Sequence, residues 1–259
     1  MGTEWLVRLV PAAYRYSGVA WLANRPAADR LFLAAFFAYK RWVEDPFANL
    51  AARRPELFAG GDILDVGANA GYTAALFARV ASPGARVFAF EPEPLNFRRL
   101  QRVSASKAIV AERLAIGATE GTVDLAINPT HPGDHRIATG ATGGKRIPVP
   151  MTTIDRYLRE RQAGRVKFVK IDVQGYELEV SRGMTELLER ERDVAVAFEL
   201  APADLRAAGV EPEALLAFYR ERGFRLELLP RDGATRPYDS AEVAARAARR
   251  GYVDLLATR

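Results

Sequence analysis

The chain has 259 residues, of which 49% are hydrophobic and 27% are charged, a balance typical of a soluble globular protein with a sizeable core. It contains no cysteine and only two histidines, which excludes disulfides, thiolate metal sites, cysteine nucleophiles and histidine-rich metal centres. The formal net charge is +5, but the arginines are spread along the sequence. Without a compact basic block interleaved with aromatics, nucleic-acid binding is not predicted.

Residues 1–45 form an N-terminal extension that is rich in aromatic side chains and arginine. They lack the pattern of a secretory signal, and no apolar run reaches the length of a membrane span. We therefore expect a cytoplasmic protein that is not an integral membrane protein. Apolar residues recur at helical spacing between Ala27 and Val43, which predicts a helix. We interpret it as a cap on the core or a homodimer surface; a lid over the substrate and an interfacial helix are the alternatives.

The central stretch of the sequence runs from Gly61 to Pro94, GDILDVGANAGYTAALFARVASPGARVFAFEPEP. It predicts a short strand carrying Asp65, a glycine-rich turn, a helix from Tyr72, and a second strand that ends in Glu91. Glycines in the turn allow a sharp backbone path and the close approach of a ligand. An acid after the second strand is where dinucleotide folds bind ribose hydroxyls.

The spacing of the turn, Asp65-Val66-Gly67-Ala68-Asn69-Ala70-Gly71, distinguishes two cofactors. A dinucleotide site expects G-x-G-x-x-G, whose middle glycine lets a pyrophosphate approach. Asn69 replaces that glycine here, so its side chain would crowd a pyrophosphate but could bond a smaller zwitterionic ligand. The turn resembles motif I of the class I S-adenosylmethionine (SAM) methyltransferases.

The rest of the chain alternates between predicted strands and helices, which indicates a mostly parallel, doubly wound sheet. Residues 128–150 are dense in Gly, Pro and Thr and predict a long irregular loop. The predicted helices lie at residues 46–53, 72–81, 94–103, 153–161, 176 onward, 212–222 and 240–250, with a further short one near Ala12. The predicted strands lie at residues 63–66, 87–90, 109–115, 122–127, 166–173, 193–200, 224–229 and 252–257.

Three later motifs narrow the resemblance to one family. They are Val149–Asp155 (VPMTTID), Val169–Glu177 (VKIDVQGYE) and Ala197–Leu200 (AFEL). With the glycine turn and Phe90-Glu91-Pro92, they resemble the FkbM family of SAM-dependent methyltransferases from about Gly60 to Leu200. One departure is Gln174, at a position where the family usually has Glu.

The resemblance implies a Rossmann-like, seven-stranded methyltransferase domain over residues 46–259. It implies SAM as the cofactor, S-adenosylhomocysteine (SAH) as the product and a small-molecule acceptor. Asp65, Gly67, Asn69 and Gly71 would hold the methionine end, Glu91 would bind the ribose, and Ala115 would approach adenine. The implied cofactor-binding residues are Asp65, Gly67, Ala68, Asn69, Gly71, Tyr72, Glu91, Pro92, Asn96, Ala115 and Asp172.

Three side chains are candidate catalytic residues because a hydroxyl acceptor needs help to lose its proton. Asp172 and Lys170 are expected at the carboxyl end of the central strand, facing the transferred methyl group. Asp172 is either a base or a residue that only fixes the following loop. His135 lies in the long loop, and histidine is a residue type that ionises near neutral pH; the alternative is a surface histidine without a role.

Three further groups have alternative roles. His131, Asp134 and His135 together are a weak candidate for a metal site. Glu177, in the first turn of a helix, is expected to be structural. Glu199 ends a buried strand, so we expect its carboxyl group to face the pocket or a cation.

The sequence therefore predicts a SAM-dependent methyltransferase that acts on oxygen, on a sugar or a secondary-metabolite hydroxyl. A nicotinamide-dependent oxidoreductase is disfavoured by Asn69 and by the lack of an evident Tyr-x-x-x-Lys pair. A SAM-binding partner protein without catalytic activity is the second alternative and is compatible with Gln174.

Overall fold

The computed structural model describes residues 26–105, 108–128, 135–138 and 145–259. The helical elements are α1 (Pro26–Tyr39), a π-helical segment (Lys40–Glu44), α2 (Phe47–Arg53), a 3-10 turn (Pro55–Leu57), α3 (Tyr72–Val80), α4 (Pro94–Ser104), α5 (Ile154–Glu160), α6 (Glu177–Arg182), α7 (Thr185–Arg190), α8 (Pro202–Ala207), α9 (Pro212–Arg220) and α10 (Ser240–Arg250). The strands are β1 (Asp62–Val66), β2 (Val87–Phe90), β3 (Ile109–Glu112), β4 (Ala115–Ile116), β5 (Gly121–Ala126), β6 (Arg136–Ile137), β7 (Arg146–Thr152), β8 (Val166–Ile171), β9 (Ala195–Leu200), β10 (Arg225–Leu228), β11 (Arg236–Pro237) and β12 (Val253–Thr258).

The main sheet has the strand order β3-β2-β1-β8-β9-β12-β10-β11. The five strands β3, β2, β1, β8 and β9 run parallel to one another. Strand β12 is antiparallel to both of its neighbours, β9 and β10. Seven strands form the predicted arrangement, and the two-residue β11 adds an edge. The order reverses between β1 and β8, which is where open parallel sheets bind ligands. The predicted fold class is confirmed.

Both faces of the main sheet are covered, because successive residues of its strands point to opposite sides. Ile63 and Val87 belong to one hydrophobic cluster and Leu64 and Phe88 to the other. The first cluster is closed by α2, α3 and α4, and the second by α5, α6, α7 and α9. Strands buried on both faces explain the continuous apolar runs in the sequence.

A second, four-stranded sheet has the order β4-β7-β5-β6. Its existence corrects two predictions. The predicted strand at residues 109–115 is broken, because Glu112 ends β3 and Ala115 begins β4 in the other sheet. The predicted loop at residues 128–150 is wrong in part, since Arg136–Ile137 and Arg146–Thr152 are strands. Val149 and Met151 of β7 are buried, while Pro148 and Pro150 hid the alternating pattern.

Helix α1 is fixed to the domain by a buried ion pair. Asp29 is fully buried, and its Oδ1 accepts hydrogen bonds from Nε and Nη2 of Arg99 in α4, at 3.0 and 2.7 Å. Arg102 binds the other oxygen. The predicted helix at residues 27–43 is therefore present, and it continues into the π-helical segment. Leu31 and Trp42 remain exposed on it. The helix predicted near Ala12 lies outside the described residues.

The remaining predicted helices and strands are found, with ends displaced by a few residues. The predicted N-cap is confirmed: Oγ1 of Thr153 accepts a hydrogen bond from the backbone N–H of Arg156 at 3.1 Å. None of the helices in residues 26–105, 108–128, 135–138 and 145–259 has the length and hydropathy needed to cross a bilayer.

Candidate active site

A cavity of about 980 Å³ opens at the carboxyl ends of β1 and β8. The loop after β1 and the loop after β8 supply its floor, and the end of α1 and the π-helical segment supply one wall. The small sheet contributes Ala115, Ile116, Leu125 and Ile137 on another side. The volume is in the range of small-molecule and cofactor sites. The reversal of strand order therefore coincides with a concave site of cofactor size.

The glycine turn has three residues with positive φ: Gly67 at 77°, Asn69 at 49° and Gly71 at 90°. A Cβ atom on Gly67 would lie 1.8 Å from the carbonyl oxygen of Asp172, and one on Gly71 would lie 2.9 Å from Cδ1 of Leu100. Close packing of the protein on itself therefore requires both glycines. Gly67 also lines the cavity, so the close approach of a ligand to it stays a prediction.

Glu91 is held against the glycine turn. Its Oε2 accepts a hydrogen bond from the backbone N–H of Asn69 at 2.9 Å, and its Oε1 accepts one from Glu93 at 2.8 Å. The side-chain oxygen of Asn69 is itself bonded to the backbone N–H of Ala70 at 2.7 Å. Burial raises the pKa of the Glu91 carboxyl to about 8. Glu91 and Asn69 both line the cavity.

Apolar residues also line the cavity after β3, which is next to β2 in the main sheet, and together with Leu125 of the small sheet we call them the apolar strip. It consists of Leu114, Ala115, Ile116 and Leu125, with Pro92 and Asn96 at its border. A carboxyl group for hydroxyl donors beside an apolar surface for a flat base matches the two parts of an adenosine group. The residues present thus fit the nucleoside half of SAM.

Asp65 and Lys170 form the base of the site. They are opposite each other in the β1–β8 register. Nζ of Lys170 lies 3.3 Å from Oδ1 of Asp65 and 3.5 Å from Oδ2 of Asp172. Oδ2 of Asp65 accepts a hydrogen bond from Oγ1 of Thr73 at 2.6 Å. Lys170 is buried and its pKa stays raised, because the attraction of Asp65 and Asp172 outweighs the effect of burial.

Two of the predicted cofactor residues are not among the described residues that line the cavity. Asp65 is fully buried behind the turn, and Gly71 begins α3 and packs on α4. This geometry does not support direct contact of Asp65 or Gly71 with a ligand, because neighbouring groups enclose both residues. The other predicted residues line the cavity: Gly67, Ala68, Asn69, Tyr72, Glu91, Pro92, Asn96, Ala115, His135, Lys170 and Asp172.

Asp172, directly after β8, and Glu199, in β9, also line the cavity, and the Gln174 side chain bridges them. Nε2 of Gln174 is 3.1 Å from Oδ1 of Asp172 and 3.3 Å from Oε1 of Glu199. The Asp172 side chain is 36% exposed, so a ligand can reach it. The expectation that Glu199 faces the pocket is confirmed.

The two carboxyl groups differ in their ionisation. Burial raises the pKa of Glu199 well above its ordinary value, and the neighbouring carboxyl of Asp172 adds to this. Burial also opposes ionisation of Asp172, but attraction to Lys170 and Lys40 outweighs it, so its pKa is lowered. The cavity thus favours the protonated form of Glu199 and the ionised form of Asp172, an arrangement in which two carboxyl groups can have different roles.

Glu177 is structural, as the sequence predicts, although its partners are loop amides. It is fully buried, and its carboxyl group accepts hydrogen bonds from the backbone N–H groups of Val173 and Gly175 at 3.1–3.2 Å. It therefore holds the loop that carries Gln174.

His135 lines the cavity, and its Nδ1 accepts a hydrogen bond from the backbone N–H of Asn128 at 3.1 Å. The neutral ring then carries its proton on Nε2, which makes that atom a donor. Of the weak metal candidates, His131 and Asp134 lie outside the described residues. Within the described ranges, no group of three or more His, Asp or Glu side chains is arranged to hold a metal ion.

Several cavity residues come from segments with no local motif. Lys40 and Glu44 of the π-helical segment form an ion pair at 2.6 Å. Arg136 pairs with Asp204 at 2.8 Å. The C-terminal part of the chain contributes Arg250, Tyr252 and Asp254. Only tertiary contact brings these groups together, so periodicity and spacing could not identify them.

The sequence matches the family profile described as the methyltransferase FkbM domain over residues 65–226, more than half of the chain. It is 29% identical over 171 residues to the hexuronic acid methyltransferase AglP of Haloferax volcanii, covering 64% of this chain. That match spans 65% of the relative's own length. Identity to methyltransferase sdnD of Sordaria araneosa is 26% over 198 residues, covering 61% of this chain and 74% of that protein.

Among solved structures, the O-methyltransferase from Bacillus cereus in complex with SAH is similar over 99% of this chain and 90% of its own. The TM-score is 0.45 and the sequence identity is 11%.

Proposed function

The chain belongs to the FkbM family of methyltransferases, and we propose that it transfers a methyl group from SAM to a hydroxyl group of a sugar or a secondary metabolite. The observation that carries the proposal is one cavity lined by Glu91 and the apolar strip, which follow β2 and β3, and by the partly exposed carboxyl group of Asp172, which follows β8. A nucleoside-sized site thus adjoins a group that can accept a proton.

The cofactor half of the cavity has a suitable residue for each part of SAM. The carboxyl group of Glu91 would accept hydrogen bonds from the ribose hydroxyls. Leu114, Ala115 and Ile116 would contact the adenine. Gly67, Ala68 and Asn69 would lie along the methionine end, supported from below by Lys170 and Asp65. The sulfonium of SAM supplies an activated methyl group; the residues of this chain bind and orient it.

Asp172 is the proposed general base. Its lowered pKa keeps it ionised at neutral pH, so it can accept the proton of the acceptor hydroxyl as the oxygen attacks the methyl carbon. Lys170 would position this carboxylate through its ion pair with Asp172. His135, with a donor at Nε2, would bind an oxygen of the acceptor. Its position in the cavity supports a binding role more than that of a base.

The polar side of the cavity supports a hydroxylated acceptor. Hydrogen-bonding groups of both kinds line it, including Tyr252, Gln174 and Arg250. The relative from Haloferax volcanii is a hexuronic acid methyltransferase, which favours a sugar acid as the first acceptor to try. We further propose that residues 46–259 form the catalytic domain and that the helix at residues 26–44 covers the acceptor, since Phe36, Tyr39 and Lys40 line the cavity.

Calorimetric titration with SAH tests the cofactor assignment. We expect binding by the wild-type chain and its loss in Glu91→Ala, with unchanged binding by Glu56→Ala, a matched surface variant. Folded protein that ignores SAH but binds NAD would establish the oxidoreductase alternative. Transfer from methyl-labelled SAM to methyl glucuronide, methyl galacturonide and neutral methyl glycosides then tests the activity. SAH binding with no labelled product from any acceptor would favour a non-catalytic SAM-binding protein.

A further inference from the structure

Gln174 occupies a strained position in the loop after β8. Its φ angle is 54°, and that of Gly175 is 98°. Left-handed backbone is uncommon for a residue with a long side chain, because its Cβ atom crowds the neighbouring carbonyl oxygen. Residues held in this way cluster at functional sites. The strain therefore directs attention to what the Gln174 side chain does.

Both hydrogens of the Gln174 amide have a carboxyl partner. One nitrogen, Nε2, is within 3.1 Å of Asp172 and 3.3 Å of Glu199. The reverse orientation of the amide would place its oxygen against two carboxyl groups, which is unfavourable. The three side chains thus form one bridge, carboxyl–amide–carboxyl, on the cavity surface.

Backbone contacts of the residues next to Gln174 hold the loop that carries it. Backbone N–H groups on either side of Gln174, in Val173 and Gly175, donate to the buried carboxyl of Glu177. A Cβ atom on Gly175 would lie 2.6 Å from the carbonyl oxygen of Asp204. The loop after β8 is therefore in close contact with the segment at Asp204, and this contact fixes the backbone position of Gln174.

We propose that Gln174 is a positioning residue that holds Asp172 and Glu199 as one hydrogen-bonded carboxyl pair facing the acceptor side of the cavity. Glu199 is then the second carboxyl group of the acceptor site, a role that rests on the proposed function. In its protonated form Glu199 can donate a hydrogen bond, and an ionised Asp172 accepts one, so the pair suits two adjacent oxygens of an acceptor, such as a vicinal diol.

The departure from Glu at position 174 has a physical reason in this arrangement. A glutamate there would place a third carboxyl group against Asp172 and Glu199, and when ionised it could donate to neither. An amide supplies two donors and no charge. The charged and titratable groups that face the pair from other elements are Lys170 of β8, Lys40 of the π-helical segment, Glu177 of α6 and Asp254 of β12.

The test measures the two carboxyl groups directly, without an acceptor. Carboxyl-labelled aspartate and glutamate are titrated by carbon-13 NMR in the wild type, Gln174→Met and Gln174→Glu; Asp172→Asn and Glu199→Gln assign the resonances. We expect the Asp172 titration to move upward by about one pH unit or more in Gln174→Met. A larger shift is expected in Gln174→Glu, because a like charge adds to the lost donor.

Gln162→Met is the matched control, since Gln162 is exposed and also has a positive φ, 46°. It should leave both carboxyl titrations unchanged. Superimposable Asp172 and Glu199 titrations in the wild type and Gln174→Met would overturn the proposal. SAH affinity, expected to stay within about twofold, reports that each variant is folded.

A second measurement connects the pair to catalysis. With methyl glucuronide or whichever glycoside the wild type methylates, the acid limb of the pH profile of kcat/KM should move upward with the Asp172 titration in both Gln174 variants. An unmoved acid limb would contradict the inference. A wild type that methylates no acceptor would instead count against the proposed function, and the NMR titrations would still decide the role of Gln174.

Discussion

Nζ of Lys170 donates a hydrogen bond to the carbonyl oxygen of Gly67 at 2.8 Å, which joins β8 to the glycine turn, 103 residues away in sequence. The same ammonium group is the counter-ion of Asp65 and Asp172. One buried cation therefore supports both the cofactor side and the acceptor side of the cavity.

We expect Lys170→Met to lower the free energy of unfolding by about 3–5 kcal/mol, because it leaves the fully buried Asp65 without its cation. Urea denaturation measures the change. Lys167→Met is a matched control on the same strand, since Lys167 pairs with the half-exposed Asp193; it should cost less than about 1 kcal/mol. Equal losses in the two variants would show that Lys170 has no special structural role.

The two candidates for the general base, Asp172 and His135, should differ in how strongly their substitution lowers kcat. We expect Asp172→Asn to lower kcat at least about 100-fold, because it removes the proton acceptor. His135→Ala should lower kcat about tenfold or less, since its ring is placed as a donor. Single-turnover methyl transfer measures both, and SAH affinity should be unchanged in His135→Ala. The opposite order of effects would make His135 the base.

Binding of SAH should depend on pH through Glu91. The pKa of its carboxyl is about 8 in the free protein, and ribose hydroxyls would favour the ionised form, so binding lowers that pKa and releases a proton. Affinity should then increase as the pH rises from 6 toward 8 and level off above 8. Calorimetry in buffers of different ionisation enthalpy measures the proton release. Glu91→Gln should abolish the part of the pH dependence that is due to this residue; an unaltered dependence would exclude it.

The buried ion pair of Asp29 with Arg99 should control the helix at residues 26–44. Asp29→Asn leaves the Arg99 guanidinium buried without its counter-ion, so we expect faster amide hydrogen exchange in this helix and a higher KM for the acceptor. SAH affinity should change little, because we propose that this helix covers the acceptor and not the cofactor. Arg30→Gln, an exposed neighbour on the same helix, is the control. Exchange that stays slow in Asp29→Asn would show that other contacts hold the helix.

The main sheet and the cofactor side of the cavity were predictable because their signals are local. Strand, glycine turn, helix and strand follow each other between Gly61 and Pro94, and a parallel sheet brings the ends of its strands to one edge. Glu91 and Asp172 reach the cavity for this reason. The apolar runs also identify the strands, since both faces are buried.

The acceptor side was less predictable because its residues meet only through tertiary packing. Lys40 comes from an N-terminal helix whose attachment depends on Asp29 and Arg99, 70 residues apart. The strand at residues 146–152 was missed since Pro148 and Pro150 argue against a strand. In the small sheet, β4 pairs only with Met151 and Thr152 of β7. The edge of β7 that faces β4 therefore has no partner strand at the two prolines.

The contact between Gly67 and the carbonyl oxygen of Asp172 has a consequence for engineering this scaffold. A Cβ atom at position 67 would overlap that oxygen. The loop after β1 (the proposed cofactor loop) and the loop after β8 (the proposed acceptor loop) are therefore in direct backbone contact, with no side chain between them at this point. A loop taken from a relative to change acceptor preference must preserve this backbone approach, or it will displace the cofactor loop as well. Exchanging both loops together is therefore the safer graft.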